Sequence, residues 1–100
     1  MKKQKKNKDV DRVLDYLGEI IETPLYPTDM KDAVIGCVER FGMGPVVLLD
    51  REKCVKILMR NGIKKREDAE EFYEFNTLGA WVGEGTPAFA TLNKDILKRL

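Results

Sequence analysis

Neither histidine nor serine occurs anywhere in the 100 residues. The first absence removes the commonest general base and the commonest transition-metal ligand; the second excludes a serine nucleophile. Two cysteines, Cys37 and Cys54, make a poor disulfide framework and suit a reducing compartment. Without His they cannot fill a tetrahedral zinc site unless carboxylates or a second chain contribute, so no metal site and no cofactor are expected. No apolar run approaches the roughly 18 residues of a membrane span, and the basic N-terminus leads into an amphipathic pattern, not into an apolar signal core. The expectation is a cytoplasmic chain without membrane contact.

Phosphate-cradling loops are missing as well. Gly83-Glu84-Gly85-Thr86 follows a strand-like run but opens no helix and lacks Gly-Lys-Ser/Thr. Gly42-Met43-Gly44 lies between a helical pattern and a strand pattern, the reverse of the dinucleotide-binding order. Among the many carboxylates only Glu84 sits in a glycine-rich loop beside an aromatic, and one carboxylate is weak ground for acid–base chemistry. The chain is therefore expected not to be an enzyme.

What the chain has in quantity is charge, unevenly placed. Residues 1–8 carry five lysines (Lys2, Lys3, Lys5, Lys6 and Lys8) and no acid, while the other 92 residues carry 13 basic and 17 acidic groups, a net of −4. Residues 1–8 are too polar to bury and are expected to be a disordered basic tail on a single globular domain, 9–100. The tail reads either as a solvated solubility aid or as a nucleic-acid tether.

Along the domain, Val10, Val13, Leu14, Leu17, Ile20 and Ile21 form one helical stripe from a cap at Asp9, stopped at Thr23-Pro24. Met30, Ala33, Val34, Cys37, Val38 and Phe41 repeat at i, i+3, i+4, i+7, which predicts a second helix capped by Thr28 or Asp29 and ended by Gly42. Residues 46–49, apolar on both faces, predict a central strand. Asp50 then caps a helix to about Asn61, where Asn61-Gly62-Ile63 predicts a Schellman ending with Ile63 folding onto Leu58. Cys37 and Cys54 both fall within apolar stripes and read as buried, inert thiols. A fourth helix spans about 65–76, with Ala69, Phe72, Tyr73 and Asn76 on its inner face.

Residues 71–87, EFYEFNTLGAWVGEGTP, hold the only Trp and half of the aromatic residues. Residues 80–82 and 88–92 flank a glycine-containing spacer and predict a β-hairpin with a longer loop, with Pro87 at an edge or strand start. Asn93 is expected to cap a short last helix. The resulting fold class is α+β: four main helices packed on one face of a small antiparallel or mixed three-stranded sheet that ends in the hairpin. Asn76 reads as a structural amide tying the helix end to the next turn, or as a ligand-facing group beside Trp81. Glu67, Glu70, Glu71 and Glu74 form an acidic stripe, read as a solvated face supported by Arg66–Glu70 or as a partner-facing ridge.

Phe72-Tyr73-Glu74-Phe75-Asn76, followed by Gly79-Ala80-Trp81-Val82-Gly83-Glu84-Gly85-Thr86-Pro87, resembles the ending of a family of small proteins of tailed phages and prophages. Asp50-Arg51-Glu52-Lys53-Cys54, Ile57-Leu58 and Asn61-Gly62 are similar to the same family, so the likeness covers about residues 29–90. Lys64, where a capping Ser is usual, and the basic tail depart from it. The family has no agreed activity, so no functional residues carry over; the resemblance implies a phage setting in a host cytoplasm and an accessory role such as host takeover or defence evasion.

Three readings of function follow. The first is a non-catalytic module that binds a host protein through Glu67, Glu70, Glu71, Glu74, Trp81 and Glu84. The second is a nucleic-acid binder with the lysines of the tail on phosphates and Trp81 or Tyr73 stacking bases. The third is a small-ligand site around Asn76, Trp81, Glu84 and Thr86. An apolar strand and an open sheet edge further suggest a homodimer.

Overall fold

A computed structural model describes residues 8–100; Lys2, Lys3, Lys5 and Lys6 of the expected tail lie outside the described residues. The fold is α+β around a three-stranded mixed sheet of order β1-β2-β3. The elements in order are α1 (Lys8–Ile20), a 3₁₀ segment (Thr28–Ala33), β1 (Val34–Arg40), β2 (Met43–Asp50), α2 (Arg51–Arg60), α3 (Arg66–Phe72), a π-helical segment (Tyr73–Leu78), β3 (Ala88–Ala90) and α4 (Asn93–Leu97).

The stripe on α1 buries Val10 and Leu17, with Val13, Leu14 and Ile21 packed alongside, while Ile20 stays largely exposed. Lys8 opens the helix, which puts Asp9 and Asp11 in its first turn, where the helix dipole favours acids. Residues 46–49 are central as expected: β2 pairs antiparallel with β1 and parallel with β3. Val47 and Leu49 enter the core; Val46 and Leu48, on the other face, are half-buried.

The predicted second helix is instead a 3₁₀ turn followed by a strand. Met30 and Ala33 are buried from the turn, which starts after Pro27 with no side-chain cap, so neither Thr28 nor Asp29 serves as one. The helix-like spacing has a specific cause. Val34 pairs with Leu49 and Cys37 with Val47, so three residues on β1 match two on β2: a β-bulge. One extra residue puts successive inward side chains three apart, which a 3.6-residue repeat imitates. Gly42, with φ +83°, closes the two-residue Phe41-Gly42 turn of a β1–β2 hairpin; the same positive φ suits a helix C′ position, which the helical reading used.

After β2 the chain must cross over to lay β3 parallel beside it. Asp50 starts this crossover: it is 1 % exposed and accepts the N–H of Glu52 at 2.9 Å and of Lys53 at 3.4 Å. At the far end of α2, Ile63 N–H donates to the Leu58 carbonyl at 3.1 Å and Gly62 N–H to that of Met59 at 3.3 Å, the Schellman pair. The predicted C-terminal hairpin is absent. Residues 80–82 are not strand, and only Ala88–Ala90 joins the sheet, beside β2. Leu92, not Asn93, occupies the N-cap of α4, without a side-chain bond.

Asp50→Ala removes the acceptor for two part-buried N–H groups at the strand–helix junction. A loss of about 0.5–2 kcal/mol is expected, seen as a lower urea midpoint with an unchanged slope. An unaltered midpoint would contradict the cap.

Candidate functional site

The segment that follows α3 is where chain geometry departs furthest from regular helix. Ala69, Tyr73 and Thr77 are buried at constant four-residue intervals. A continuous α-helix would carry Ala69, Tyr73 and Asn76 on its inner face; the wider i→i+5 turns of Tyr73–Leu78 keep Tyr73 inward but bring Thr77 in where Asn76 was expected. Tyr73 packs edge-on against Phe89 of β3, with ring centroids 5.6 Å apart and planes at 87°. The Arg51 guanidinium lies 4.7 Å from the Tyr73 ring centroid. Gly79 ends the segment, and a Cβ there would sit 3.0 Å from the Phe75 carbonyl oxygen and 3.1 Å from that of Glu74. Only glycine passes this close without displacing backbone.

The consequence is an outward apolar strip. Phe72, Phe75, Leu78, Trp81 and Val82 are all exposed, Phe75 and Trp81 at 75 % each. Large apolar side chains clustered in so short a stretch are a feature of interaction surfaces. Phe72 and Asn76, expected inward, are therefore both corrected: Asn76 is exposed and lines a mainly apolar cleft of about 290 Å³ between Leu25-Tyr26-Pro27 and Ala80-Val82. Tyr73, buried, is not available to stack a base.

Trp81, Glu84 and Thr86 do come together, in a second cleft of about 210 Å³ against Val38, Val46 and Ala88 on the half-buried face of the sheet. Asn76 lines the other cleft, so the four candidate ligand-facing residues do not form one site. Thr86 is occupied by its own loop: its hydroxyl accepts from Val82 N–H at 2.9 Å and donates to the Gly83 carbonyl. That hydroxyl is a structural tie, and the charged groups that line this cleft are Glu84 and Arg40.

The acidic stripe divides in two. Glu70 is bonded by Arg66 Nε at 3.2 Å, the support expected from sequence, and Glu74 by Arg51 at 2.9 Å. Arg66 also grips Glu52 with both terminal nitrogens, which lowers the Glu52 pKa and raises that of Arg66. Glu67 and Glu71 are exposed, with no ion pair to a described residue. Sequence reasoning missed the Arg51–Glu74 and Arg66–Glu52 pairs, because they join residues 23 and 14 positions apart.

No group of three or more Cys, Asp or Glu side chains among the described residues is placed to hold a metal ion. No helix among them is long and apolar enough to cross a membrane. No protein-family model, curated protein or solved structure matches the chain.

Behind the strip, burial pushes the Cys54 thiol up from 9.0 to about 12, aided by the negative charges of Asp50 and Asp29. Burial likewise raises the Tyr73 phenol from 10.0 to about 12, aided by the neighbouring Cys54. Both groups are held neutral by the fold, so their contribution is complete below the unfolded-state values and is lost as pH rises toward the folded ones. Melting temperature should hold up to pH 9.0 and fall between there and about 12. A Cys54→Ala variant should show a shallower fall. A melting temperature independent of pH across that window would contradict the burial of both groups.

The exposed position of Asn76 makes a further outcome explicit. Asn76→Leu should change stability by no more than about 0.5 kcal/mol, as for ordinary surface positions. A loss of about 1–3 kcal/mol, the cost of orphaning buried polar groups, would instead place the amide inside the fold.

Proposed function

We propose that the chain is a non-catalytic binding module that docks on another protein, an accessory protein of phage type acting on a host protein complex. The observation that carries this reading is the outward strip Phe72, Phe75, Leu78, Trp81 and Val82. Its aromatic content is that of interface anchors. Glu67 and Glu71, which pair with no described residue, lie on the same helical stretch, so the partner suited to it has an apolar groove with a basic rim. The resemblance of residues 71–87 to phage proteins supports the host setting, and the missing His and Ser support a non-catalytic role.

Trp81 and Glu84 belong to this surface; Glu70 and Glu74 contribute less, since Arg66 and Arg51 already hold them. With Tyr73 buried, the nucleic-acid reading rests on the tail lysines and Trp81, and a homodimer rests on the apolar strip finding its own copy.

Affinity capture from host lysate, followed by titration of the captured partner, tests the proposal. Phe75→Ala and Trp81→Ala should each weaken binding by about 2 kcal/mol or more, the size of an interface hot spot, with melting temperature unchanged. Capture that survives both substitutions would overturn it. Light scattering at 11.5 kDa would exclude the homodimer. Binding to DNA or RNA that collapses as salt rises would favour the tail.

A further inference from the structure

Away from the aromatic strip, α2, α3 and α4 enclose a polar cleft of about 530 Å³. It is lined by four cations, Lys56, Arg66, Lys98 and Arg99, and three carboxylates, Glu52, Glu70 and Asp95. Arg66 absorbs two of those carboxylates: it forks onto Glu52 and reaches Glu70 at 3.2 Å. Lys56 and Arg99 have no carboxylate within ion-pair distance among the described residues, and Lys98 has only Asp95, at 3.9 Å. Four cations against three carboxylates leave the cleft a net charge of +1, and Lys56 and Arg99 are the cations that no carboxylate of the described residues holds.

Asp95 is the anomaly in it. The residue is 4 % exposed, and its Oδ2 is buried with no hydrogen-bond partner. A buried carboxylate oxygen left unpaired is costly and uncommon. A metal ion is a poor candidate to satisfy it, because the other two carboxylates are committed to Arg66 and the remaining groups repel cations. What suits both features at once is a ligand with an anionic end for the lysines and arginine and an N–H or O–H donor for Asp95.

We propose that this cleft is a binding site for a phosphate-bearing ligand of the nucleotide class. The phosphate is held by Lys56, Lys98 and Arg99, and an amine or hydroxyl of the sugar or base donates to Asp95. The volume falls within the range of small-ligand sites. The site shares no lining residue with the aromatic strip and stands independently of the docking proposal.

The test is a titration of the full chain with inorganic phosphate, adenosine and adenosine monophosphate, followed by amide chemical shifts at low salt. The monophosphate should perturb the amides of Lys56, Asp95, Lys98 and Arg99 and bind at least about tenfold more tightly than either fragment, a margin equal to about 1.4 kcal/mol. Lys56→Ala and Arg99→Ala, both at exposed positions that leave the fold intact, should each weaken it about tenfold, in line with the loss of one charge-assisted hydrogen bond. Asp95→Ala should bring its affinity down to that of inorganic phosphate. A short single-stranded RNA that perturbs the same amides with a steeper salt dependence assigns the nucleotide to a strand, and equal affinity assigns it to the free form; either supports the site. Equal binding of phosphate and monophosphate, perturbations confined to other residues, or no perturbation at millimolar ligand would overturn it.

Discussion

The contact between Tyr73 and Phe89 is the point on which the rest of the structure depends. It joins the helical crossover to the short strand β3, which has only three residues with which to hold its place beside β2. Arg51 stacks over the same ring and pairs with Glu74, so the first residue of α2 is tied to the π-helical segment. Asp50 in turn caps α2 and ends β2. Strand, cap, cation and aromatic pair thus form one continuous set of contacts around a ring that is 1 % exposed. Holding Tyr73 and Thr77 inward fixes where their neighbours go, and the neighbours are Phe72, Phe75 and Leu78.

The sequence is most legible where one local signal has one structural meaning. The α1 stripe, the Asp50 cap, the Schellman ending at Gly62 and the central strand are of this kind. It misleads where two structures share a signal. The bulge in β1 spaces Val34 and Cys37 as a helix would, and Gly42 serves a hairpin turn as well as it would serve a helix end. The β-branched run of Val34, Ile35 and Val38 was the counter-signal, since such residues favour strands over helices. The π-helical register leaves no mark that a 3.6-residue reading detects, so the sequence pattern points Asn76 inward where the fold buries Thr77. Residues 80–82 have the composition of a strand but do not pair with β3; the Val82 N–H goes instead to the Thr86 hydroxyl of its own loop.

For the candidate site, the sequence grouped residues that the fold separates. Trp81, Glu84 and Thr86 do share a cleft, yet Thr86 spends its hydroxyl on its own loop and Asn76 belongs to a different cleft. The polar cleft left no motif at all, because Lys56, Arg66 and Asp95 come from three separate helices and Lys98 from the turn after the last. Charge is unevenly placed in the fold: Glu67 and Glu71 stand beside the aromatic strip without an ion pair to a described residue, and Lys56 and Arg99 do so at the α2–α4 cleft.

The central claim is that the stretch around the π-helical segment turns Phe72, Phe75, Leu78, Trp81 and Val82 outward in the free protein. Trp81 is the only tryptophan and is 75 % exposed, so its fluorescence reports on this stretch alone. An emission maximum close to that of tryptophan in water, with efficient quenching by acrylamide, is the result this account predicts. A blue-shifted emission that resists quenching in the monomeric, ligand-free protein would show the strip to be folded inward and would contradict it.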